Sequence, residues 1–545
     1  MYKQTFAWGR SKKRFRRPDE WVEWLWIVGL LLAAVLLFGI NLGGAALRDW
    51  DEGIVAQVAR DIWQAPSGSL RWLYPTLGGE PYLNKPPLMH WLIALTYSIG
   101  GVNEWTTRLP GAMLTALSVP LLYCIGREIF HQRLWAIFSA LTYLTMLPVV
   151  RHGRLAMLDG AVECFFLLMI WCLLRSRRDL RYCLGVGFSF GLICLTKGIM
   201  GALLGAIALA FLFWDTPRLL SSWYMWIGVL LGSADVIFWY GAQWLHYGQT
   251  FSTVIVDQSL GRVWTSVENH TGPAWYYLLE ICEYAWPWLL FLPQGLRLTW
   301  SHRNLSWAKL VLVWGGIYLL AISAMETKLP WYVLPLYPAV AIATGVQLAE
   351  AWQWRPAYPR AWVAVLALLA LGTTVVSFYF SPWGPAAPKW QLQVILAAVG
   401  ATMTLAAILA ALGDKQFISI LFWGSYVSLL LLMASHHWVW ELAETYPVKP
   451  VAEIVRKGTP VGQKVYTSYH DSRPSLNFYS DRQVIPVTGD ASRRLSAIEE
   501  LQQKWQQDPQ PYFLLDRDAR EKLDLTPVKL LGTAEGWTLM TKNRV

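Results

Sequence analysis

Charge is what this chain has least of. Only 15% of its 545 residues are Asp, Glu, Lys or Arg, and 55% are hydrophobic, whereas soluble domains run near a quarter charged. That shortage argues against a soluble globular protein and for a bilayer. Cysteine is sparse too: Cys124, Cys164, Cys172, Cys183, Cys194 and Cys282 stand in or beside apolar runs, with no CxxC spacing. They read as small hydrophobes, not as a disulfide framework. Low-complexity segments and fixed-period repeats are missing, as is any sign of a cytoplasmic nucleotide pocket. The formal charge of +10 does not indicate nucleic acid, because the basic residues cluster in short loops between apolar runs, where they orient helices.

What the chain has is a series of those runs. The first, 21–47, is too long for a signal-peptide core and precedes no obvious small-residue cleavage site. Arg10, Lys12, Lys13, Arg14, Arg16 and Arg17 stand before it, so we expect an uncleaved span with a cytoplasmic N-terminus. Others follow near 108–126, 134–150, 161–174, 182–196, 198–214, 223–241, 274–294, 310–325, 331–349, 361–380, 391–412 and 417–435. At about 20 residues per crossing, these predict about thirteen spans. The run 86–100 is short and opens on two prolines. Leaving it out of the span count puts Arg127, Arg133, Arg175, Arg177, Arg178, Arg181, Arg297, Arg303, Arg355 and Arg360 on the cytoplasmic side, and Asp51 and Asp159 together outside. Thirty-four tryptophans suit aromatic belts at the interfaces.

The same parity places the tail outside the membrane. We therefore divide the chain into a membrane domain, 1–437, and a soluble extracytoplasmic α/β domain, 438–545. Strands are expected at 464–469, 483–487 and 511–515, and a helix at 496–507, where Ile498, Leu501 and Trp505 fall at helical spacing. The tail holds no catalytic motif and reads as a cap or docking domain. Among the outer loops, 242–273 is long enough to carry function, with Asp257, Arg262, Glu268 and His270.

The sharpest segment is Arg48-Asp49-Trp50-Asp51-Glu52-Gly53. Carboxylates beside a span are expensive, although acids also suit a solvated helix start. Asp159 opens another span on the same expected face, and two acids converging from separate loops suit positioning an acceptor, removing its proton or holding a metal. Lys85, in Tyr82-Leu83-Asn84-Lys85-Pro86-Pro87, sits on a segment stiffened by proline. It reads either as a cation snorkelling to headgroups or as one binding a specific phosphate. Lys197, Arg262 and Lys328 share the outer face. Several cations beside two aspartates describe a site for a phosphate-bearing substrate that enters from the bilayer. His270 is either a solvated loop histidine or a metal ligand. Asp235 stands inside an apolar run with no evident role.

At these motifs the chain resembles the polyprenyl-phosphate-dependent glycosyltransferases of the GT-C fold, with the lipid A aminoarabinose transferases the nearest branch and the protein O-mannosyltransferases related to it. The resemblance is an ordered series: Asp51-Glu52, Tyr82 with Lys85-Pro86, Leu158-Asp159, Thr196-Lys197-Gly198, Arg262 with His270, Pro273-Ala274-Trp275-Tyr276-Tyr277, Lys328-Leu329-Pro330 with Tyr332, and Ser381-Pro382-Trp383-Gly384-Pro385. It implies an all-α polytopic membrane protein with periplasmic juxtamembrane helices and a small α/β C-terminal domain. It also implies an inverting transferase that moves a sugar from a polyprenyl-phosphate lipid to a lipid, glycan or protein acceptor, at the outer face of the cytoplasmic membrane.

Carried over residue by residue, Asp51 becomes the principal catalytic carboxylate with Glu52 beside it, and Asp159 the second acid. Lys85, Arg262 and Tyr332, with Lys197 and Lys328, become contacts of the carrier phosphate. His270 matches a zinc-ligand histidine, but its glutamate partner is replaced by Asn84, and an amide oxygen is a poorer zinc ligand. No cofactor follows with certainty, and a divalent metal stays open. Ile54 stands where the branch has an arginine, so the sugar does not follow from the resemblance. Two other classes are a transporter or flippase of a lipid-linked sugar, which favours midplane charges and paired repeats, and a scaffold with degraded catalysis.

Overall fold

A computed structural model of the protein describes residues 17–265, 270–353, 357–439, 447–469, 472–486, 494–523, 525 and 527–543. Arg10, Lys12, Lys13, Arg14, Arg16, Glu268 and Arg355 lie outside these residues.

The apolar runs fold as helices, as backbone groups in hydrocarbon must bond within their own segment. Among the described residues eight helices are long and apolar enough to cross a bilayer: Glu20–Gly39, Glu104–Ile129, Trp223–Tyr247, Ser306–Ala324, Pro330–Gln353, Arg360–Tyr379, Trp390–Ala411 and Gln416–Ala434. The pair Arg133–Leu144 and Leu147–Gly153, bent by 59°, makes a ninth when taken as one span. Length and composition thus assign eight or nine crossings where the sequence suggested about thirteen. The other runs fold as shorter helices: Asp159–Arg175, Tyr182–Lys197, Ile199–Asp215, and the broken pair Tyr276–Tyr284 and Leu292–Ser301. Leu88–Gly100 has 13 residues, about 20 Å of helix against a hydrocarbon core of about 30 Å.

Apolar side chains cover the outside of the bundle. Leu32, Leu230, Leu320, Leu368 and Phe378 are all exposed, as lipid-facing positions are. Asp235 is exposed midway along Trp223–Tyr247, and nothing in the structure explains it. The interior is closed by large rings, with Trp288, Trp314 and Tyr143 fully buried. Helix association in lipid depends on this kind of close packing and on interhelical hydrogen bonds.

Arg127, Arg133, Arg175 and Arg177, at or beside helix ends, pair with acids of other segments. Glu23 accepts from the Tyr123 hydroxyl at 2.5 Å, from Arg127 Nε at 3.0 Å and from Arg133 Nη2 at 2.9 Å. Nearby, Arg175 pairs with Glu128 at 2.7 Å and Arg177 with Asp215 at 2.5 Å. Asp51 and Asp159 lie together elsewhere, close enough for the Asp159 charge to act on the Asp51 carboxyl.

Beyond a small antiparallel hairpin, β1 (Thr76–Leu77) with β2 (Glu80–Pro81), the sheet structure is in the tail. Its strands are β3 (Lys464–Thr467), β4 (Gln483–Pro486), β5 (Tyr512–Leu515), β6 (Val528–Ala534) and β7 (Trp537–Lys542), in the order β4-β3-β5-β7-β6. β3 runs parallel to β4 and β5, while β7 is antiparallel to β5 and β6. The helix Arg494–Gln507 lays Leu501 and Trp505 on this sheet, with the Trp505 ring 5.1 Å from that of Phe513. The β6–β7 hairpin and the helix Val448–Gly458 add to the elements expected from sequence.

Candidate active site

The site begins where the first helix ends. After an extended stretch, residues Asp49–Gly53 form one wide turn, closed by the Gly53 amide donating to the Arg48 carbonyl at 2.7 Å. Helix Ile54–Trp63 follows directly. The turn points its carboxylates in different directions.

Glu52 points into the bundle and is fully buried. Arg108 grips it with two parallel bonds, Nε to Oε1 and Nη2 to Oε2, each 2.7 Å. The Ala156 amide adds 2.8 Å and the Arg48 amide 3.1 Å. Burial opposes ionisation, yet Arg108 and these amides outweigh it and hold the Glu52 carboxyl below its ordinary value. The remaining Arg108 donors reach the carbonyls of Leu42, Ala45 and Ala46 at 2.9, 2.7 and 3.0 Å. Glu52 was expected to stand beside Asp51 in the site. It is instead consumed by this bidentate pair, which ties the turn to helix Glu104–Ile129.

Asp51 is different. Burial pushes its carboxyl up to about 7; Arg48 and Lys197 oppose the shift, and Asp159 and Glu52 add to it. Asp159, the first residue of helix Asp159–Arg175, accepts from Lys197 Nζ at 2.6 Å. Lys197 ends its own helix at Gly198, whose φ of +40° turns the chain. A Cβ at Gly198 would lie 2.6 Å from the Tyr240 hydroxyl, so only glycine fits this corner. The Lys197 ammonium sits 5.1 Å from the centre of the Tyr332 ring, and Arg262 Nη1 donates to the Tyr332 hydroxyl at 2.8 Å. Gln258 holds the other arm of the guanidinium at 3.1 Å.

Lys85 completes the group. Pro86 and Pro87 block helix before Leu88 and leave it in a bend just ahead of that helix. Burial pushes its amine down to about 7, Lys197 and Arg262 act in the same direction, and Asp159 and Asp51 oppose them. One cavity is lined by Asn84, Lys85, Lys197, Arg262 and Tyr332, with Tyr318 and Tyr240. Its apolar wall comes from Ile199, Met200, Leu203, Ile255 and Ile322. Cations and phenols thus face a greasy lining, an arrangement suited to an anionic head on an apolar tail.

Lys328 is not among the groups lining that cavity. It is buried, and its ammonium donates to the carbonyls of Ile322 at 3.2 Å and Ser323 at 2.7 Å, and to that of Met325. It caps the end of helix Ser306–Ala324, where carbonyls lack helical partners. The His270 carbonyl accepts from the Lys328 amide at 2.9 Å. Among the described residues no three His, Cys, Asp or Glu side chains are grouped to hold a metal. Asn84 offers only an amide oxygen, a poorer zinc ligand than a carboxylate, and no step below is routed through a metal.

Arg108 was missed from the sequence. Its signal was present but faint: an arginine at the edge of an apolar run has to find a partner.

The comparisons agree with this architecture. ArnT of Cupriavidus metallidurans, solved bound to undecaprenyl phosphate, superposes with a TM-score of 0.77 over 95% of this chain and 98% of that one, at 18% identity. The fold is therefore GT-C, in a multi-pass membrane protein with a small sheet near its C-terminus. In sequence the chain resembles the aminoarabinose transferases. It is 27% identical over 333 residues to undecaprenyl phosphate-alpha-4-amino-4-deoxy-L-arabinose arabinosyl transferase 1 of Pseudomonas fluorescens, covering 60% of each. It is also 26% identical over 357 residues to an uncharacterized protein of Aquifex aeolicus, covering 64% of this chain and 69% of that protein. The match therefore spans less than two thirds of the Pseudomonas relative's length. Residues 84–240 match the family model described as dolichyl-phosphate-mannose-protein mannosyltransferase.

Proposed function

We propose that the protein is an inverting glycosyltransferase that takes a sugar from a polyprenyl-phosphate lipid and places it on a lipid, glycan or protein acceptor. It works at the outer face of the cytoplasmic membrane, with the N-terminus cytoplasmic, residues 1–437 as the catalytic membrane domain and 438–545 outside. The observation that carries this reading is the cavity in which Lys85, Lys197, Arg262 and Tyr332 meet beside Asp51 and Asp159.

The chemistry follows from the groups. An acceptor oxygen attacks the anomeric carbon from the face opposite the phosphate. The carbon–oxygen bond to phosphate breaks, and its electron pair leaves on the polyprenyl phosphate. Lys85, Arg262 and the Tyr332 hydroxyl stabilise that growing charge in an apolar surround, where such contacts are strongest. Lys197, neutralised by Asp159, orients the same edge. An acceptor hydroxyl gives its proton to Asp51, a carboxylate whose affinity for protons suits a base near neutral pH. An acceptor that is already an ionised phosphate needs only to be aligned by it.

The test is purified protein in proteoliposomes with a panel of polyprenyl-phosphate sugars, alongside mass spectrometry of envelope lipids and glycans with and without the protein. A mass shift of one sugar supports the reading. Movement of the lipid with no glycosidic product would replace it with a flippase.

A further inference from the structure

Asp49, Asp51 and Glu52 share one turn, but different parts of the molecule hold them. Arg108 and the Ala156 amide lock Glu52 from the bundle side. Asp49 faces the C-terminal unit, where Arg473 Nη1 lies 2.6 Å from Oδ2 and the Ser475 amide donates to Oδ1 at 3.2 Å. The Ser475 hydroxyl donates to that same oxygen. Gly53 closes the turn against the same segment. A Cβ on it would stand 2.8 Å from the Ser475 nitrogen and 3.1 Å from the Arg48 carbonyl oxygen, so backbone meets backbone there.

The contact continues on both sides of the turn. The Tyr479 hydroxyl accepts from the Leu47 amide at 2.8 Å and donates to Glu104 at 3.0 Å. Arg60 donates to the Phe478 carbonyl at 2.7 Å and pairs with Asp481 at 2.5 Å. The short helix Pro474–Ser480 thus brackets residues 47–60. Anchoring a domain requires contact anywhere on the outer face. This contact instead concentrates on the turn that carries Asp51, with a buried ion pair two residues before it. Buried ion pairs add little net stability, and their best-attested use is to fix register. Among the described residues no hydrogen bond acts on the Asp51 carboxylate, so its place depends on the backbone held at 49, 52 and 53.

We propose that Arg473 and Ser475 of the C-terminal unit are positioning residues for Asp51, acting through Asp49. The inference rests on the glycosyl-transfer reading above. It makes the tail part of the transfer machinery, not a detachable cap.

The test uses the full chain in proteoliposomes, with Arg473→Ala, Ser475→Ala and the double variant set beside Asp51→Asn. A misplacement of about 1 Å costs on the order of a hundredfold in rate. The double variant should therefore lose about ten- to a hundredfold in kcat, while its KM for the donor and its affinity for polyprenyl phosphate alone stay within about twofold. Arg473→Lys, which keeps a cation opposite Asp49, should recover most of the loss. A double variant that turns over within twofold of the unaltered protein while Asp51→Asn is inactive overturns the positioning role alone. A fall in kcat matched by equal loss of donor binding and of folded protein also overturns it, as that is mere anchorage. Full turnover by Asp51→Asn removes the underlying catalytic assignment instead.

Discussion

Asp159 accepts from Lys197 at 2.6 Å, whereas Asp51, near enough to feel both charges, has no ion pair among the described residues. On the proposed function the two acids have separate tasks: Asp159 neutralises a cation, and Asp51 remains available to the acceptor.

Replacing Asp51 by Asn should reduce transfer by about 10²–10⁴-fold, the usual contribution of a positioned base. Membrane insertion and thermal unfolding should be nearly unchanged, because among the described residues no hydrogen bond to the Asp51 carboxylate is lost. The measurement is product formation at saturating donor and acceptor, with unfolding followed on the same preparation.

The pH profile should be bell-shaped. Asp51 works as a base only when deprotonated, and its carboxyl is pushed up to about 7, so with a hydroxyl acceptor kcat/KM should rise through that pH. Lys85 holds phosphate best when protonated, and its amine is pushed down to about 7, so the same ratio should fall above it. Bound phosphate restores the Lys85 charge, so the alkaline fall should weaken or vanish in kcat. A flat profile between about pH 5 and 9 would remove both assignments.

Glu52→Gln should fail differently. Breaking one side of a buried ion pair costs about 3–5 kcal/mol, because Arg108 is left with an uncompensated charge. Lower yield and a lower unfolding temperature are expected, and restoring conditions that stabilise the fold should return part of the activity. An unaltered unfolding temperature would mean that the Arg108 contact carries no stability.

Arg262 and Lys328 make a contrasting pair. Arg262→Ala removes a cation from the cavity and should weaken binding of polyprenyl phosphate by about ten- to a hundredfold, the range for hydrogen bonds to charged groups. Lys328→Ala removes a helix cap and should lower the unfolding temperature with a smaller effect on that binding. Calorimetric titration on both variants separates the two roles; equal losses of binding would return Lys328 to the cavity.

Lys85 and Lys197 were legible because each is a charge at the end of an apolar run, a costly position that composition makes visible, while Arg262 stood out in the long loop 242–273 and Tyr332 followed from the resemblance. Lys328 looked the same and is not part of the cavity, since sequence does not reveal that free carbonyls at the end of its neighbouring helix lie within reach. Glu52 was read with Asp51 for a similar reason: adjacent residues on one turn can face opposite ways, and only the position of Arg108, 56 residues on, decides which way each points. Arg108 itself was hidden at the edge of an apolar run. The β6–β7 hairpin escaped because its turn, Glu535-Gly536, has positive φ at both residues without the asparagine or aspartate that usually marks such a turn.

The grip on Asp49 also has a consequence in time. Its two sides are 426 residues apart in the chain, and ribosomes add about 5–20 residues per second. The acidic turn is therefore made some ~20–85 s before the segment that holds it. On the positioning reading, a chain released before Arg473 and Ser475 inserts its helices but cannot finish the turn, so synthesis itself delays activity until that segment has emerged.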